Sequence, residues 1–338
     1  MKPNVLELPP AYISVETLIF DKEAAMFVVD LGFSSAKWLC GGAKGTVRSC
    51  FRRSKAEGFI YRSDRFLVGE RALLETGSRY LRTVEELVDM YPLFVSVCAG
   101  QAGIRQDDAL IVGLPYDYWK AEVTKAKKGS AGAIGTLQNS LTHIDGETAL
   151  DFGRVIVYPQ GLGGIKAYLH DNPGESGNIL AVDIGFNTVI YTLYSCTQGE
   201  ILAGKTFYKK GVHDMAVNGL FPEIQGHIQG KTLTPLEIDY AMQTGTLQTG
   251  FDRVDIMPEI KEAASAYVND LLSLVTGDLK AHGGVVGFDT VLFFGGGARL
   301  LAGKIESKGV RVVVMEEPEF ANALGFRIRA EEVAAGNR

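Results

Sequence analysis

Phe27-Val28-Val29-Asp30-Leu31-Gly32-Phe33-Ser34-Ser35-Ala36-Lys37 and Leu180-Ala181-Val182-Asp183-Ile184-Gly185-Phe186-Asn187-Thr188 are two copies of one pattern. In each, a short apolar run ends in an aspartate, a glycine follows two places on, and a phenylalanine follows the glycine. Such a run reads as a buried strand, and the glycine behind the acid reads as its turn. A turn of this kind presents backbone N–H groups that can hold phosphate oxygens, while the acid can hold a metal ion's water shell. Two such turns from two half-chains can face each other across a cleft and grip one polyphosphate. One Asp-x-Gly alone would favour an ordinary βα turn, in which Gly supplies positive φ and Asp tolerates the bend. Duplication with matching flanks favours the ligand-binding reading.

The bulk properties bound the rest. A chain of 338 residues suits two domains or one bilobal unit, and 46% hydrophobic with 22% charged residues is the make-up of an ordinary soluble protein. The longest apolar runs, such as 310–315, are strand-sized, so no membrane span is expected. Lys2 precedes no sustained apolar region, so no signal peptide is expected either. Cys40, Cys50, Cys98 and Cys196 are scattered without metal or redox spacing, which suggests free thiols in the cytoplasm. The net charge of -6 argues against direct nucleic-acid binding.

In chain order, residues 1–24 carry three prolines and read as a loosely held extension, with an edge strand at 13–20 as the alternative. Strands are expected at 25–31, 36–39 and 46–51, then a hairpin of 58–61 with 65–68. Thr83 with the acids behind it caps a helix, and a further helix covers much of 93–102. Residues 109–115 form a buried strand stopped by Pro115, and 118–128 a solvated helix. After a break at 129–135, strands 140–144 and 148–158 frame the turn Asp145-Gly146. The crossing between halves falls at Gln160-Gly161, before a helix at 165–169. The second half repeats the opening order with strands 179–184, 188–195 and 201–208. Helices at 212–221, from Pro235 to about Gly245, and at 256–282 follow, then strands 290–294 and 310–315 and a last helix at 321–335.

Three further strings bear on chemistry. Gly295-Gly296-Gly297 follows a strand and opens a helix, so a ligand can lie almost on its backbone. As a dinucleotide fingerprint it fails, because Leu300 stands where a third glycine belongs and no ribose-binding acid is evident. Gly199-Glu200-Ile201-Leu202-Ala203-Gly204-Lys205-Thr206 matches the Walker A pattern, but 201–208 reads as a strand and no helix opens after Lys205. Gln160, at the crossing, is a surface glutamine by default and a water-orienting group if it faces a γ-phosphate. Lys37 is an exposed hairpin lysine unless its strand returns it to the first turn.

Together, Asp30-x-Gly32-x-x-x-x-Lys37, Asp183-x-Gly185-x-x-Thr188 and Gly295-Gly296-Gly297 resemble the phosphate-1, phosphate-2 and adenosine motifs of the superfamily of actin, sugar kinases and heat-shock chaperones. The strings Val112-Gly113-Leu114-Pro115, Tyr158-Pro159-Gln160-Gly161, Gly211-Val212-x-Asp214 and Phe320-Ala321-Asn322-Ala323-Leu324-Gly325 are similar to ParM-type bacterial and archaeal actins. The resemblance implies an α/β, actin-like two-domain fold with duplicated mixed-sheet cores and a nucleotide cleft between them. Domain I would span 25–160, with 320–338 returning to it, and domain II 161–319. It implies an ATPase using ATP (GTP being the alternative) and Mg²⁺, polymerising with itself into filaments for plasmid segregation or intracellular positioning. A small DNA-binding adaptor would be its partner. Asp30 and Asp183 would hold Mg²⁺ through water, Gly32, Ser34, Ser35, Lys37, Gly185, Asn187 and Thr188 would hold phosphates, and Gln160 would position the attacking water. Gly295, Gly296 and Gly297 would pack on adenine and ribose, with Asp214 on the ribose hydroxyls. Phe33 departs from the small or polar residue often found after the first glycine, and the family varies between Gln and Glu at the place of Gln160. A small-molecule kinase and a non-polymerising nucleotide-binding scaffold are the alternatives on this fold; the kinase would need a carboxylate base, and none is evident in the sequence.

Overall fold

In a computed structural model of the chain, the run carrying Asp30 forms the buried strand Met26–Leu31 at the centre of a five-stranded sheet. The structure describes residues 26–104, 109–128, 132–146, 149–228, 233, 235–249, 252–281, 287–301 and 309–334. The extension at 1–24, read as a loose tail with an edge strand at 13–20 as the alternative, lies outside these residues, as do 129–131 of the expected break and the ends of the two last helices at 282 and 335. On one side Met26–Leu31 pairs antiparallel with Ser35–Cys40, which pairs with Ala43–Arg48. On its other side it pairs parallel with Ala109–Leu114, which pairs parallel with Arg154–Pro159. The run carrying Asp183 forms Asn178–Ile184, and its sheet repeats the plan. Thr188–Ser195 and Glu200–Tyr208 lie antiparallel on one side, and Thr290–Phe294 and Arg311–Val314 parallel on the other. The repeated turn sequence is therefore the visible part of a repeated topology.

Alternation along the central strand sorts its side chains. Phe27, Val29 and Leu31 join Ala36, Trp38 and Val47 in a core closed by helix Val84–Ala102. Val28 and Leu39 face the opposite way and are covered by Ala323, Phe326 and Ala330 of the last helix, Ala321–Ala334. Asp30 and Lys37 sit on that same face, beyond the end of the covering helix. In the second sheet Val182 and Ile184 face the long helix Met257–Ala281, and Ala181 faces helix Leu162–Asp171. The helices Leu162–Asp171 and Ala321–Ala334 thus lie between the two sheets. They touch at Gly163 and Gly325, where a Cβ on Gly325 would fall 1.8 Å from the Gly163 carbonyl oxygen. A second bridge joins the halves where Asp117, opening helix Tyr116–Lys127, exchanges two hydrogen bonds with Thr206 on the edge strand.

Several sequence expectations need correction, among them the break at 129–135, whose residues 133–135 open a helix. The strand expected at 46–51 breaks at Ser49, whose N–H donates to the Ser34 carbonyl (2.9 Å) and whose Oγ donates to the Gly32 carbonyl (2.6 Å). Beyond it Cys50–Ser54 leaves for a separate four-stranded sheet with Phe59–Tyr61, Asp64–Val68 and Arg79–Tyr80. Residues 140–142 end the helix Ala133–Thr142 instead of starting a strand, because Leu137 and Leu141 are buried at helical spacing. The strand expected at 148–158 divides into Leu150–Asp151 and Arg154–Pro159. The two helical stretches expected around Pro92 form one helix, Val84–Ala102. Among the described residues no helix is long and apolar enough to cross a membrane.

Candidate functional site

Both Asp-x-Gly turns open onto one cleft of about 590 Å³ between the sheets. They share a backbone plan: Gly32 N–H donates to the Ser35 carbonyl at 3.1 Å, and Gly185 N–H to the Thr188 carbonyl at 2.9 Å. Asp30, Gly32, Ser34, Ser35 and Lys37 line the cleft from the first half, and Asp183, Gly185 and Thr188 from the second. Lys37 stands cross-strand from Asp30, and its Nζ donates to the Ser35 carbonyl (3.1 Å), so its charge lies over the first turn. A strand that returns after Gly32 is what brings a residue seven places on back beside the acid.

The two acids are buried and each is held by a side-chain amide. Gln160 Nε2 donates to Asp30 Oδ1 at 2.7 Å, and Asn322 Nδ2 donates to Asp183 Oδ2 at 2.7 Å. Burial raises the pKa of Asp30 above the usual carboxylate range, against the lowering influence of Lys37 and of the Gln160 hydrogen bond. Burial likewise pushes Asp183 up to about 7, opposed by the Asn322 hydrogen bond and reinforced by the charge of Asp30. Two buried acids that share a cleft are each easier to ionise with a cation beside them, and Lys37, Arg48 and Arg299 are the cationic side chains lining it. Among the described residues no cluster of three or more potential metal ligands occurs, so a divalent ion here would depend on water and on its ligand's oxygens.

Gly295, Gly296 and Gly297 line the third side. Gly295 has φ +83°, and a Cβ on it would lie 2.3 Å from Asp183 Oδ1. A Cβ on Gly297 would lie 2.5 Å from both Ile184 Cγ2 and Val212 Cγ2. The helix expected behind these glycines is the short 3₁₀ turn Gly296–Leu301. Val212, Met242 and Leu300 supply apolar lining, and Arg299 forks onto Glu319 at 2.7 and 3.2 Å.

Two expected site residues do not line this cleft. Asn187 instead donates from Nδ2 to the Arg82 carbonyl in the first half (3.3 Å). Asp214 accepts from Lys210 (3.2 Å), just before its helical segment, and from Asn218 (2.7 Å), one turn further on. Lys205 of the Walker-like string lies in strand Glu200–Tyr208, paired with Asp278 of the long helix, and is also outside the lining. Arg48, Glu319 and Asn322 line the cleft although the sequence reading did not select them. Arg48 carried a usable signal, since it stands cross-strand from Ser35 on the face of Asp30 and Lys37. Asn322 carried none by itself.

No family model matches the chain. No curated protein matches it by sequence. Solved structures do match by fold. A ParM from Clostridium botulinum, solved as a 15-stranded filament, superposes with a TM-score of 0.71 at 15% identity, covering 91% of this chain and 99% of that one. An archaeal actin homolog, Ta0583, in complex with ADP gives 0.70 at 20% identity over the same shares. Bacillus thuringiensis ParM with ATP gives 0.60 at 13% identity, over 94% of this chain and 100% of that one. The chain has the two-domain, actin-like fold of these proteins.

Proposed function

We propose that this protein is a nucleotide-dependent ATPase whose product of binding is a filament of its own copies. The observation that carries the reading is the pair of buried carboxylates, one from each half, opening onto one cleft with Lys37 beside them. The residues present fit Mg²⁺·ATP: the cleft volume lies in the range of cofactor sites, the two turns offer N–H groups, and Gly295 and Gly297 leave no room for a side chain. When bound, Mg²⁺ neutralises charge on the β- and γ-phosphates. Asp30 and Asp183 would hold its water shell, Lys37 the phosphates, and Ser34, Ser35 and Thr188 would donate to phosphate oxygens. Gln160, leaving Asp30, would orient the attacking water. We assign the first lobe to 25–160 with the last helix returning to it, and the second to 161–319.

A kinase needs a carboxylate free to take a hydroxyl proton. Of the cleft's three carboxylates, Asp183 and Glu319 are held by Asn322 and Arg299, and Asp30 is assigned to the metal's water shell, which favours hydrolysis over transfer to a second substrate. The ADP- and ATP-bound structural neighbours and the filament neighbour support the same reading. Closure of the two lobes on nucleotide would pre-arrange head-to-tail surfaces, a contact that does not close on itself and so grows. Loss of the γ-phosphate would loosen it. Sedimentation of the protein with Mg²⁺ and ATP, ADP or no nucleotide tests this. Pelletable polymer above a critical concentration with ATP, and less with ADP, is expected. A fixed small species at every concentration, with phosphate release intact, would leave an ATPase without polymerisation.

A further inference from the structure

Gln160 and Asn322 occupy the same place in the two halves. Gln160 directly follows the fifth strand of the first sheet, Arg154–Pro159, and leads into helix Leu162–Asp171. Asn322 comes after the fifth strand of the second sheet, Arg311–Val314, at the start of helix Ala321–Ala334. Both are buried, and each sends an amide to the aspartate of its own sheet's central strand, at 2.7 Å in both cases.

The orientation of the Asn322 amide follows from its other end. Its Oδ1 accepts the backbone N–H of Gly161 (3.0 Å), and a backbone N–H can only face an oxygen, so the NH₂ is left for Asp183. The remaining oxygen of Asp183 lies against Gly295, where a Cβ would come within 2.3 Å of it. The carboxylate is therefore fixed on both sides. Gly161 is also the neighbour of Gln160, so a line of hydrogen bonds runs from Asp30 through Gln160, the 160–161 peptide and Asn322 to Asp183.

We infer that Asn322 is the positioning residue of the second turn: it aims Asp183 into the cleft and ties it to the crossing that carries Gln160. This rests on the nucleotide reading above. Asn322 touches no reacting atom; it acts through Asp183, in the way that outer-shell hydrogen bonds orient a metal's ligands. Its loss should weaken the response to metal while leaving the nucleotide's metal-independent contacts intact.

The test compares the full chain with Asn322→Ala and with Asn322→Leu, which keeps the approximate shape and removes both polar ends. ATP binding is measured by calorimetry without divalent ions, and the Mg²⁺ concentration giving half-maximal enhancement of that binding is then titrated. Thermal melting identifies folded variants, and one folded variant suffices. The Mg²⁺ midpoint should rise about 3- to 10-fold, at or below the cost of losing a direct ligand's partner, because Asp183 would reach the ion through water. Metal-free ATP binding should stay within about twofold, because Asn322 makes none of those contacts. An unchanged Mg²⁺ midpoint in a folded variant overturns the inference. So does a fall in metal-free binding by the same factor, which would mark a structural role. Failure of the parent itself to bind ATP would instead remove the nucleotide reading, and this inference with it.

Discussion

The two turns share a sequence pattern and a backbone plan but have diverged in their side chains. In the first, Phe33 is buried in the core of its own lobe, and the residue seven places after the aspartate is Lys37. In the second, the corresponding residue is Ile190, buried against helix Leu162–Asp171, and Phe186 reaches across to the first half. Its ring sits 5.5 Å from that of Tyr80 and 5.0 Å from that of His213, while Asn187 holds the Arg82 carbonyl. Duplicated topology supplies two facing acids; divergence gives the cation to one turn and the contact between lobes to the other.

A third asymmetry offers the largest effect. The fourth strand of the first sheet runs into Pro115, whereas that of the second runs into Gly295, at positive φ against Asp183. Gly295→Val should weaken nucleotide binding by ~100-fold or more, because both the backbone conformation and the space are denied to a branched side chain. Pro115→Ala, at the matching place, should change it only a few-fold. Calorimetric titration of both variants decides whether the base end of the site belongs to the second half.

Gln160→Ala should lower turnover by roughly 10- to 1,000-fold, the range for loss of a positioned group, with little change in ATP affinity. Its polymer should outlive that of the parent. Equal losses in affinity and turnover, measured by phosphate release and calorimetry, would make Gln160 a structural partner of Asp30 instead.

The buried acids also set a pH dependence. The Asp183 carboxyl is raised from an ordinary 3.8 to about 7, so the nucleotide-free folded state binds the proton more tightly than the unfolded chain does. That contribution is complete below about 3.8 and is lost as pH rises through about 7. Asp183→Asn should therefore melt a few degrees higher than the parent at pH 8. The gap should shrink as the pH is lowered towards 5. A pH-independent gap, followed by circular dichroism without nucleotide, would show that the carboxyl is ordinary.

The smallest effect separates the phenylalanines. Phe186→Ala removes aromatic contacts worth about 0.5–1.5 kcal/mol between the lobes, so nucleotide release in stopped flow should quicken ~2- to 10-fold with little loss of melting temperature. Phe33→Ala, a core truncation, should instead cost stability of about 3–5 kcal/mol. Matching behaviour of the two variants would erase the distinction between the turns.

Much of the frame was legible in the sequence for a physical reason. Parallel strands buried on both faces, such as Ala109–Leu114 and Thr290–Phe294, are nearly unbroken apolar runs, and their order in the two halves repeats. The cleft residues on the turns were legible because Asp and Gly recur in both turns and Lys37 follows the first at a spacing that a strand-turn-strand imposes. What escaped depends on contacts far apart in sequence. Phe33 and Phe186 carry the same local signature, and only Tyr80 and His213 beside the latter decide where it points. Asn187 looked equivalent to Ser34 until the Arg82 carbonyl was in reach. Asn322 is one asparagine in a helix start, and its partners lie 139 and 161 residues away. The break at Ser49 likewise follows from its bonds to Gly32 and Ser34, which no local propensity encodes.

On the proposed reading the duplicated turns, and not the Walker-like string, hold the nucleotide's phosphates. Lys37 stands over the first turn, whereas Lys205 is paired with Asp278 on the far side of the second sheet's edge strand. Equilibrium ATP titrations of Lys37→Ala and Lys205→Ala, under one salt and Mg²⁺ condition, test it most directly. Lys37→Ala should weaken binding about 10- to 100-fold, as expected for loss of a charge-assisted phosphate contact, and Lys205→Ala should leave it within about twofold of the parent. Loss of binding in Lys205→Ala with Lys37→Ala unaffected would contradict the account.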